Sequence, residues 1–367
     1  MNVASSTAPD TQHIRILDTL RGIAALSVFL AHFAQQFLHP STLGWPGRVL
    51  ELLGVWGVGV FFVLSGFVIH GGTLVAESRS GRMDWATYRR RRFLRIVPAY
   101  VAALVVCAIV SQYAESNMIA HATWPDFLTH LLFVSSFVPD HFENINAVLW
   151  TVIVECHFYC VYPLFRPTLA RLGAPTFLVT VTLFCGLLFV VASALTPVGG
   201  ARIMVQHTAP VLFWQWCLGT VLAEAYFRDR LSRLRRGLAA TPWIPMSIAG
   251  AFLGTALPTS ALQINFSRFV LPCFCFVLVG SLVFSRARDR RTAIGEHLGD
   301  ISYSIYLWHP LALLVGLRVA GPHPAAAFAC SIVLTLAAAE VSHRLIETPF
   351  NRLGRRQGHA AVAAAAT

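Results

Sequence analysis

Several ionisable side chains of this chain stand inside long apolar runs, where the cost of burial in a bilayer makes them markers of chemistry or of specific pairing. In LDTLRGIAALSVFLAHF, Arg21 and His32 are eleven residues apart. Eleven helical steps of about 100° return to within about 20° of the start and climb about 16 Å, so both side chains share one helix face. A neutral imidazole near mid-helix can take a proton from a hydroxyl and pass it on, as general base catalysis requires. It could equally be a core histidine bonded to a neighbouring carbonyl. In LWTVIVECHFYCVYPLF, Glu155 lies within a run and Tyr159 follows one turn later on the same face. That carboxylate could orient and charge-stabilise His32 as the third group of a relay, or form a structural ion pair with an arginine of another helix. His157 points about 200° away, towards packing or headgroup contact. In YRRRRFLRIVPAY, Arg92 and Arg95 are neighbours on one helix face, a fork suited to phosphate. Topology and attraction to anionic lipid are the alternative, and they account well for Arg89 to Arg91.

Weaker candidates lie elsewhere. ISYSIYLWHPL carries the hydroxyls of Ser302, Tyr303 and Ser304 and the ring of His309 ahead of Pro310, which bends a helix and can widen a cavity. Tyr303 and His309 are the candidates there for contact with donor or substrate. In GVWGVGVFFVLSGF, the glycines Gly57, Gly59 and Gly66 allow close helix approach, and Ser65 bonds to backbone. Glu347 in ETPF is expected at a helix end, with a surface role at least as well supported as an internal one. Metal binding is not expected, because Cys156 and Cys160, one turn apart, have no second pair to complete a site. No Walker loop or dinucleotide fingerprint occurs.

The elements that must position these groups follow from composition. The chain has 367 residues, 56% hydrophobic and 12% charged, and a mean hydropathy of +0.63, more apolar surface than a soluble globule buries. The expected fold is all-α, a polytopic bundle of about ten spans near 17–38, 50–69, 93–113, 146–165, 175–196, 208–226, 242–258, 266–285, 299–318 and 324–346. Phe127 to Val138 is too short to cross and is read as an interfacial or re-entrant helix. The 28 basic residues, all arginine, give a net charge of +11. Their placement in alternate loops implies membrane topology with both termini cytoplasmic rather than a nucleic-acid partner. The eight cysteines all lie in apolar runs, so no disulfide framework is indicated. The polar first twenty residues do not read as a cleaved signal. One membrane domain is expected over residues 1–358, with a low-complexity tail at 359–367.

Taken together and in order, the Arg21 to His32 spacing, FFVLSGF, the Arg92 and Arg95 pair followed by Pro98, the Trp150-Thr151 to Glu155 segment and SYSIYLWHP resemble the membrane-bound acyltransferase-3 family. The resemblance covers roughly residues 13–353. It implies a multi-pass protein of the cell's inner membrane that takes an acyl group, acetyl before others, from acyl coenzyme A and delivers it to a hydroxyl of a sugar, polysaccharide or lipid-linked glycan. By position it makes His32 catalytic, Glu155 essential to it, and Arg21, Arg92 and Arg95 contacts of the donor. Two positions depart from the family's usual pattern: Val152 stands where leucine is frequent, and Gly59 where a polar residue is frequent.

The expected chemistry needs no bound cofactor, because the thioester of the donor substrate is already activated. The protein would hold the nucleotide, deprotonate the alcohol and stabilise the oxyanion, with a group near Pro310 helping. An acyl-histidine intermediate is the main variant. One alternative acceptor is a glycosylated secondary metabolite. A rival of another class, a proton-coupled transporter, would use the same intramembrane His, Glu and Arg but would ignore coenzyme A.

Overall fold

In a computed structural model of the protein, the described residues are 14–196, 200–228, 231–242, 265–285, 292–321 and 323–355, with short pieces between 246 and 262. Among them the secondary structure is helical, without strands. The expected segment at 242–258 falls about half outside the described residues, and the tail at 359–367 wholly so.

The chain runs through α1 (Arg15–Phe37), α2 (Trp45–Ser80), α3 (Trp85–Val110), the short α4 (Trp124–Leu131), α5 (Leu149–Leu172), α6 (Ala174–Leu195), α7 (Gly200–Gln206), α8 (Ala209–Phe227) and α9 (Ser232–Ala240). A π-helical turn (Phe266–Val270) leads into α10 (Leu271–Phe284), followed by α11 (Ala293–Asp300), α12 (Ser302–Ala320) and α13 (Pro324–Ser342), which ends in a second π turn (His343–Glu347). Six helices among the described residues are long and apolar enough to cross a membrane: those over Ile16–Phe37, Trp45–Ser80, Trp85–Val110, Ala174–Leu195, Phe266–Phe284 and Pro324–Arg355. The helices α5, α8 and α12, also expected as spans, are interrupted by Glu155 and Arg166, by Gln215 and Glu224, and by His309 and Pro310. These polar interruptions are what the bundle encloses.

Burial follows that division. Along α8 almost every residue from Val211 to Ala225 is buried, so the helix runs through the middle of the bundle. It meets α2 where Gly66 and Gly219 face each other. A Cβ on Gly66 would strike the Trp216 carbonyl, and one on Gly219 the Val63 carbonyl, so only glycine lets these backbones approach. Gly57 serves α2 in the same way against Ala24 of α1. By contrast, α6 turns Leu183 and Leu187 outward, 70% and 62% exposed, an apolar face suited to lipid.

Inside the bundle a polar chain ties α2, α5 and α8 together. The Arg166 guanidinium grips Glu77 with two nitrogens, and Arg228 bridges Glu77 at 3.5 Å and Glu224 at 3.4 Å. Glu224 in turn meets Nε2 of the fully buried His70 at 3.1 Å, whose Nδ1 lies 2.8 Å from the Tyr162 hydroxyl. Each buried charge has an opposite or dipolar partner, which is the condition for keeping it there.

The 127–138 segment forms no span. Thr123 and Asp126 make a reciprocal capping box at the start of α4, and two 3₁₀ turns follow at Ser135–Phe137 and Pro139–His141. His157 of α5 donates to the Phe133 carbonyl at 2.9 Å and holds this layer down, a specific anchor where simple packing was expected. Burial works against the Asp126 carboxylate, but donors from Thr123, Asn144 and His141 prevail and bring its pKa to about 2. Burial also lowers His130 to about 4. Both shifts destabilise the fold in acid. His130 stays neutral when folded, so its contribution is lost as pH falls from about 6.5 towards its folded pKa of about 4. That of Asp126 is full above its unfolded pKa near 4 and is lost as pH falls through about 2. The thermal midpoint of detergent-solubilised protein should therefore decline between about pH 6.5 and 2, and Asp126→Asn should remove only the part of that decline below about pH 4. An equally steep low-pH decline in the variant would show that other carboxylates govern it.

Candidate active site

Two cavities sit end to end along α1, and the eleven-residue spacing of Arg21 and His32 places one of them in each.

The first cavity is lined by Arg21, Arg92, Arg95, Glu155, Tyr159 and Tyr303 among others. Its three guanidiniums come from two helices. Arg21 is steadied by Asp18 one turn earlier, at 3.2 Å. Arg92 lies over the rings of Tyr88 and Tyr159, 6.0 and 5.8 Å from their centroids, a cation–π sandwich that fixes its planar head. Its buried Nε has no hydrogen-bond partner. Arg95, on the same face of α3, is exposed at the mouth. Proximity of three like charges is unfavourable unless an anion joins them, so the cavity is built to receive one.

Glu155 answers this charge through a directed relay. The Trp216 indole N–H donates to Ser65 Oγ at 3.2 Å, the Ser65 hydroxyl donates to Tyr159 at 3.0 Å, and the Tyr159 hydroxyl donates to Glu155. Ser65 therefore bonds to side chains rather than to the backbone as expected. Tyr303 lines the same cavity but spends its hydroxyl on the Ile96 carbonyl, 2.9 Å away, which locks α12 against α3.

The second cavity, about 580 Å³, is lined by His32, Gln35, Glu51, Trp150, His207 and Arg268 with apolar neighbours. His32 is not joined to Glu155, as the expected relay required. Its Nδ1 lies 2.8 Å from Nε2 of His309, a residue expected to touch substrate. The tautomers follow from the network. The Ile305 carbonyl can only accept, so Nδ1 of His309, 3.2 Å from it, carries a proton. Nε2 of neutral His309 is then an acceptor, and His32 must donate to it from Nδ1. That leaves the lone pair on Nε2 of His32 as its basic site. The two rings are nearly parallel, 10° apart, with centroids at 5.1 Å. His309 is fully buried and also packs edge-on against Phe29, so it holds His32 rather than facing the cavity itself.

Val58, Thr151 and Tyr306 line both cavities and form the partition between them. Thr151 donates to the Val148 carbonyl at 2.9 Å, so the 2.6 Å contact with Tyr306 is a bond donated by the tyrosine. The Tyr306 ring packs against Phe61 and His309, 6.0 and 5.9 Å between centroids. Sequence spacing missed Tyr306 as a site residue, although it lies one turn before His309 and two residues after Ser304. Glu347 is another correction: it is 5% exposed and accepts from Ser304, with His343 at 3.7 Å, an internal lock between α12 and the π turn ending α13. Gly59, one of the departures from the family pattern, lies against Cys275 of α10, so a side chain there would press on the sulfur. Among the described residues no cluster of His, Cys, Asp and Glu has metal-binding geometry.

The same stretch of chain that builds both cavities is matched by a family model described as an acyltransferase domain, over residues 14–341. The chain is 26% identical to Acyltransferase MdmB of Streptomyces mycarofaciens, covering 95% of each protein. It is 29% identical to Exopolysaccharide production protein ExoZ of Rhizobium meliloti, over 83% of this chain and 91% of that one. It is 23% identical to O-acetyltransferase OatA of Staphylococcus aureus over 92% of its own length but 57% of OatA, and so spans little more than half of that relative. No solved structure matches the chain significantly. With a match covering most of its length and a helical bundle around paired cavities, the chain belongs to the membrane-bound acyltransferase-3 family and is an acyltransferase.

Proposed function

We propose that the protein is an O-acyltransferase of the inner membrane, of about ten spans with both ends cytoplasmic, that moves an acetyl group from acetyl coenzyme A in the arginine-lined cavity to a carbohydrate hydroxyl in the His32 cavity. The observation that carries this reading is the shared wall. Three guanidiniums suited to phosphates lie on one side of Thr151 and Tyr306, and an imidazole with a free Nε2 lies on the other. The arginine-rich loops support the cytoplasmic side for the first cavity. The names of ExoZ and OatA support an acceptor of the polysaccharide class and acetyl as the group moved.

In the reaction, Arg21, Arg92 and Arg95 hold the phosphates of the donor and its thioester reaches the partition. Nε2 of His32 removes the proton of the acceptor hydroxyl as the oxygen attacks the thioester carbon. The tetrahedral oxyanion receives a hydrogen bond from the Tyr306 hydroxyl, which turns from Thr151. The carbon–sulfur bond then breaks, the electron pair leaves with sulfur, and the proton on His32 passes to the thiolate. Free coenzyme A and the ester result. His309 keeps the correct nitrogen of His32 bare, and Glu155 balances the arginine charge.

Tyr306→Phe keeps the ring and removes only the donor. The expected result is an acetyl-transfer kcat lower by about 10²-fold, the effect of losing one oxyanion donor, with the donor KM unchanged. An unchanged kcat would remove Tyr306 from the chemistry. The reading as a whole is tested by calorimetric binding of acetyl coenzyme A to the purified protein. Saturable binding that is weakened in Arg92→Gln supports it, whereas no binding to wild type favours a transporter-like or other role.

A further inference from the structure

Several arginines among the described residues meet a carboxylate or an aromatic ring. Arg21 has Asp18, Arg166 has Glu77, Arg228 has two glutamates, and Arg92 lies between tyrosines beside Glu155. Arg268, on the π turn at Phe266–Val270, lines the second cavity with no carboxylate within ion-pair distance among the described residues. Its guanidinium touches His207, and its buried Nε has no hydrogen-bond partner. Gln215 of α8 fixes the turn by donating to the Arg268 carbonyl at 3.1 Å, so the side chain is held in place. π-helical turns of this kind are frequent where a side chain is aimed at a ligand. On the adjacent wall the Trp150 ring stands edge-on to His207 at 4.7 Å, with Phe142 at 5.5 Å from Trp150. An aromatic wall with a few fixed polar groups suits a sugar ring, which has apolar faces and a hydroxyl rim. A positioned guanidinium adds bidentate recognition of a carboxylate or phosphate.

We propose that the second cavity is the acceptor subsite for a saccharide carrying an anionic group, a carboxylate or a phosphate, with Arg268 binding the anion and Trp150 stacking on the ring. This rests on the reading of that cavity as the acceptor side, and it names the acceptor's chemical class. Glu51 lines the same cavity and is exposed, and its carboxylate opposes any anion there, so the Arg268 guanidinium must outweigh it at close range. The anion could belong to a uronic acid, to a phosphorylated sugar or to a phospholipid headgroup, and the same guanidinium would meet any of them.

The test uses the full chain in phosphatidylcholine nanodiscs. Binding is measured by calorimetry for a glucuronate trisaccharide, a glucose trisaccharide, glucose 1-phosphate and inorganic phosphate, with wild type, Arg268→Gln, Arg268→Lys and Trp150→Ala. Wild type should bind the anionic sugars at least about tenfold more tightly than the neutral one, the gain of one charge-assisted contact. Arg268→Gln should abolish that preference, Arg268→Lys should keep part of it, and Trp150→Ala should weaken both sugar classes. Equal binding of neutral and anionic sugars by wild type, or an undiminished preference in Arg268→Gln, would overturn the proposal. Inorganic phosphate binding as tightly as glucose 1-phosphate would overturn the sugar's part in it. Loss of the uronate preference on replacing phosphatidylcholine by phosphatidylglycerol would assign the anion to lipid and overturn it as well. Coenzyme A binding to the other cavity is recorded on each sample. Its presence in Arg268→Gln shows the variant folded, and its absence in wild type would mark failure of the donor assignment separately from failure of the acceptor subsite.

Discussion

Replacing His32 by alanine should lower acetyl transfer by about 10²–10⁴-fold, the usual contribution of a positioned general base, while leaving donor affinity nearly intact. The two effects separate because His32 lines the second cavity and the arginines line the first. His32→Gln is the sharper variant. Its side chain is close to the imidazole in size and keeps an amide donor, yet it offers no basic nitrogen. Activity in His32→Gln near that of wild type, measured by release of free thiol from acetyl coenzyme A, would remove His32 from the chemistry. His309 acts through His32, so His309→Gln should depress kcat and shift its pH profile rather than raise the donor KM. A purely structural His309 would leave the pH profile in place.

Arg92→Gln should weaken coenzyme A binding by about 10- to 100-fold, equivalent to the 1.5–3 kcal/mol of a hydrogen bond to a charged group. Arg92 is the member of the trio most firmly oriented, between Tyr88 and Tyr159. The loss should appear in KM and in the dissociation constant for coenzyme A, with kcat at saturation reduced far less. Wild-type affinity for coenzyme A should also fall as salt rises, because phosphate contacts are screened. Arg92→Lys should recover only part of the affinity, since an ammonium cannot reproduce the fork or stack between two rings. A variant that binds coenzyme A as wild type does would assign the arginines to topology and lipid contact.

Much of this site was legible because helical periodicity is local. The eleven-residue interval put Arg21 and His32 on one face, and the four-residue interval put Tyr159 beside Glu155, where its hydroxyl donates to the carboxylate. Apolar run lengths located α1, α2, α3, α6 and α13 to within a few residues, apart from the extra length of α2 beyond 69 and of α3 before 93. What spacing could not supply was rotation and depth between helices far apart in sequence. His32 and His309 are 277 residues apart, and nothing local says that they meet. Glu155 and His32 looked like partners because each lacked one, but Tyr159 satisfies the first and His309 the second. Glu347 looked superficial because it follows the apolar run, whereas the π turn at His343–Glu347 rotates it inward to Ser304. Arg268 and Tyr306 went unassigned for a related reason: each has its role only through the cavity that several helices enclose together.

The most direct test is single-turnover transfer from labelled acetyl coenzyme A by the purified protein, run with a panel of saccharide acceptors alongside His32→Ala and Glu155→Gln. Wild type should release free coenzyme A and label an acceptor, His32→Ala should lose that transfer, and Glu155→Gln, whose carboxylate serves the donor cavity and not His32, should change it through donor affinity, with both variants remaining folded. A folded wild type that neither binds nor cleaves any acyl coenzyme A would contradict the donor assignment on which the two-cavity mechanism stands.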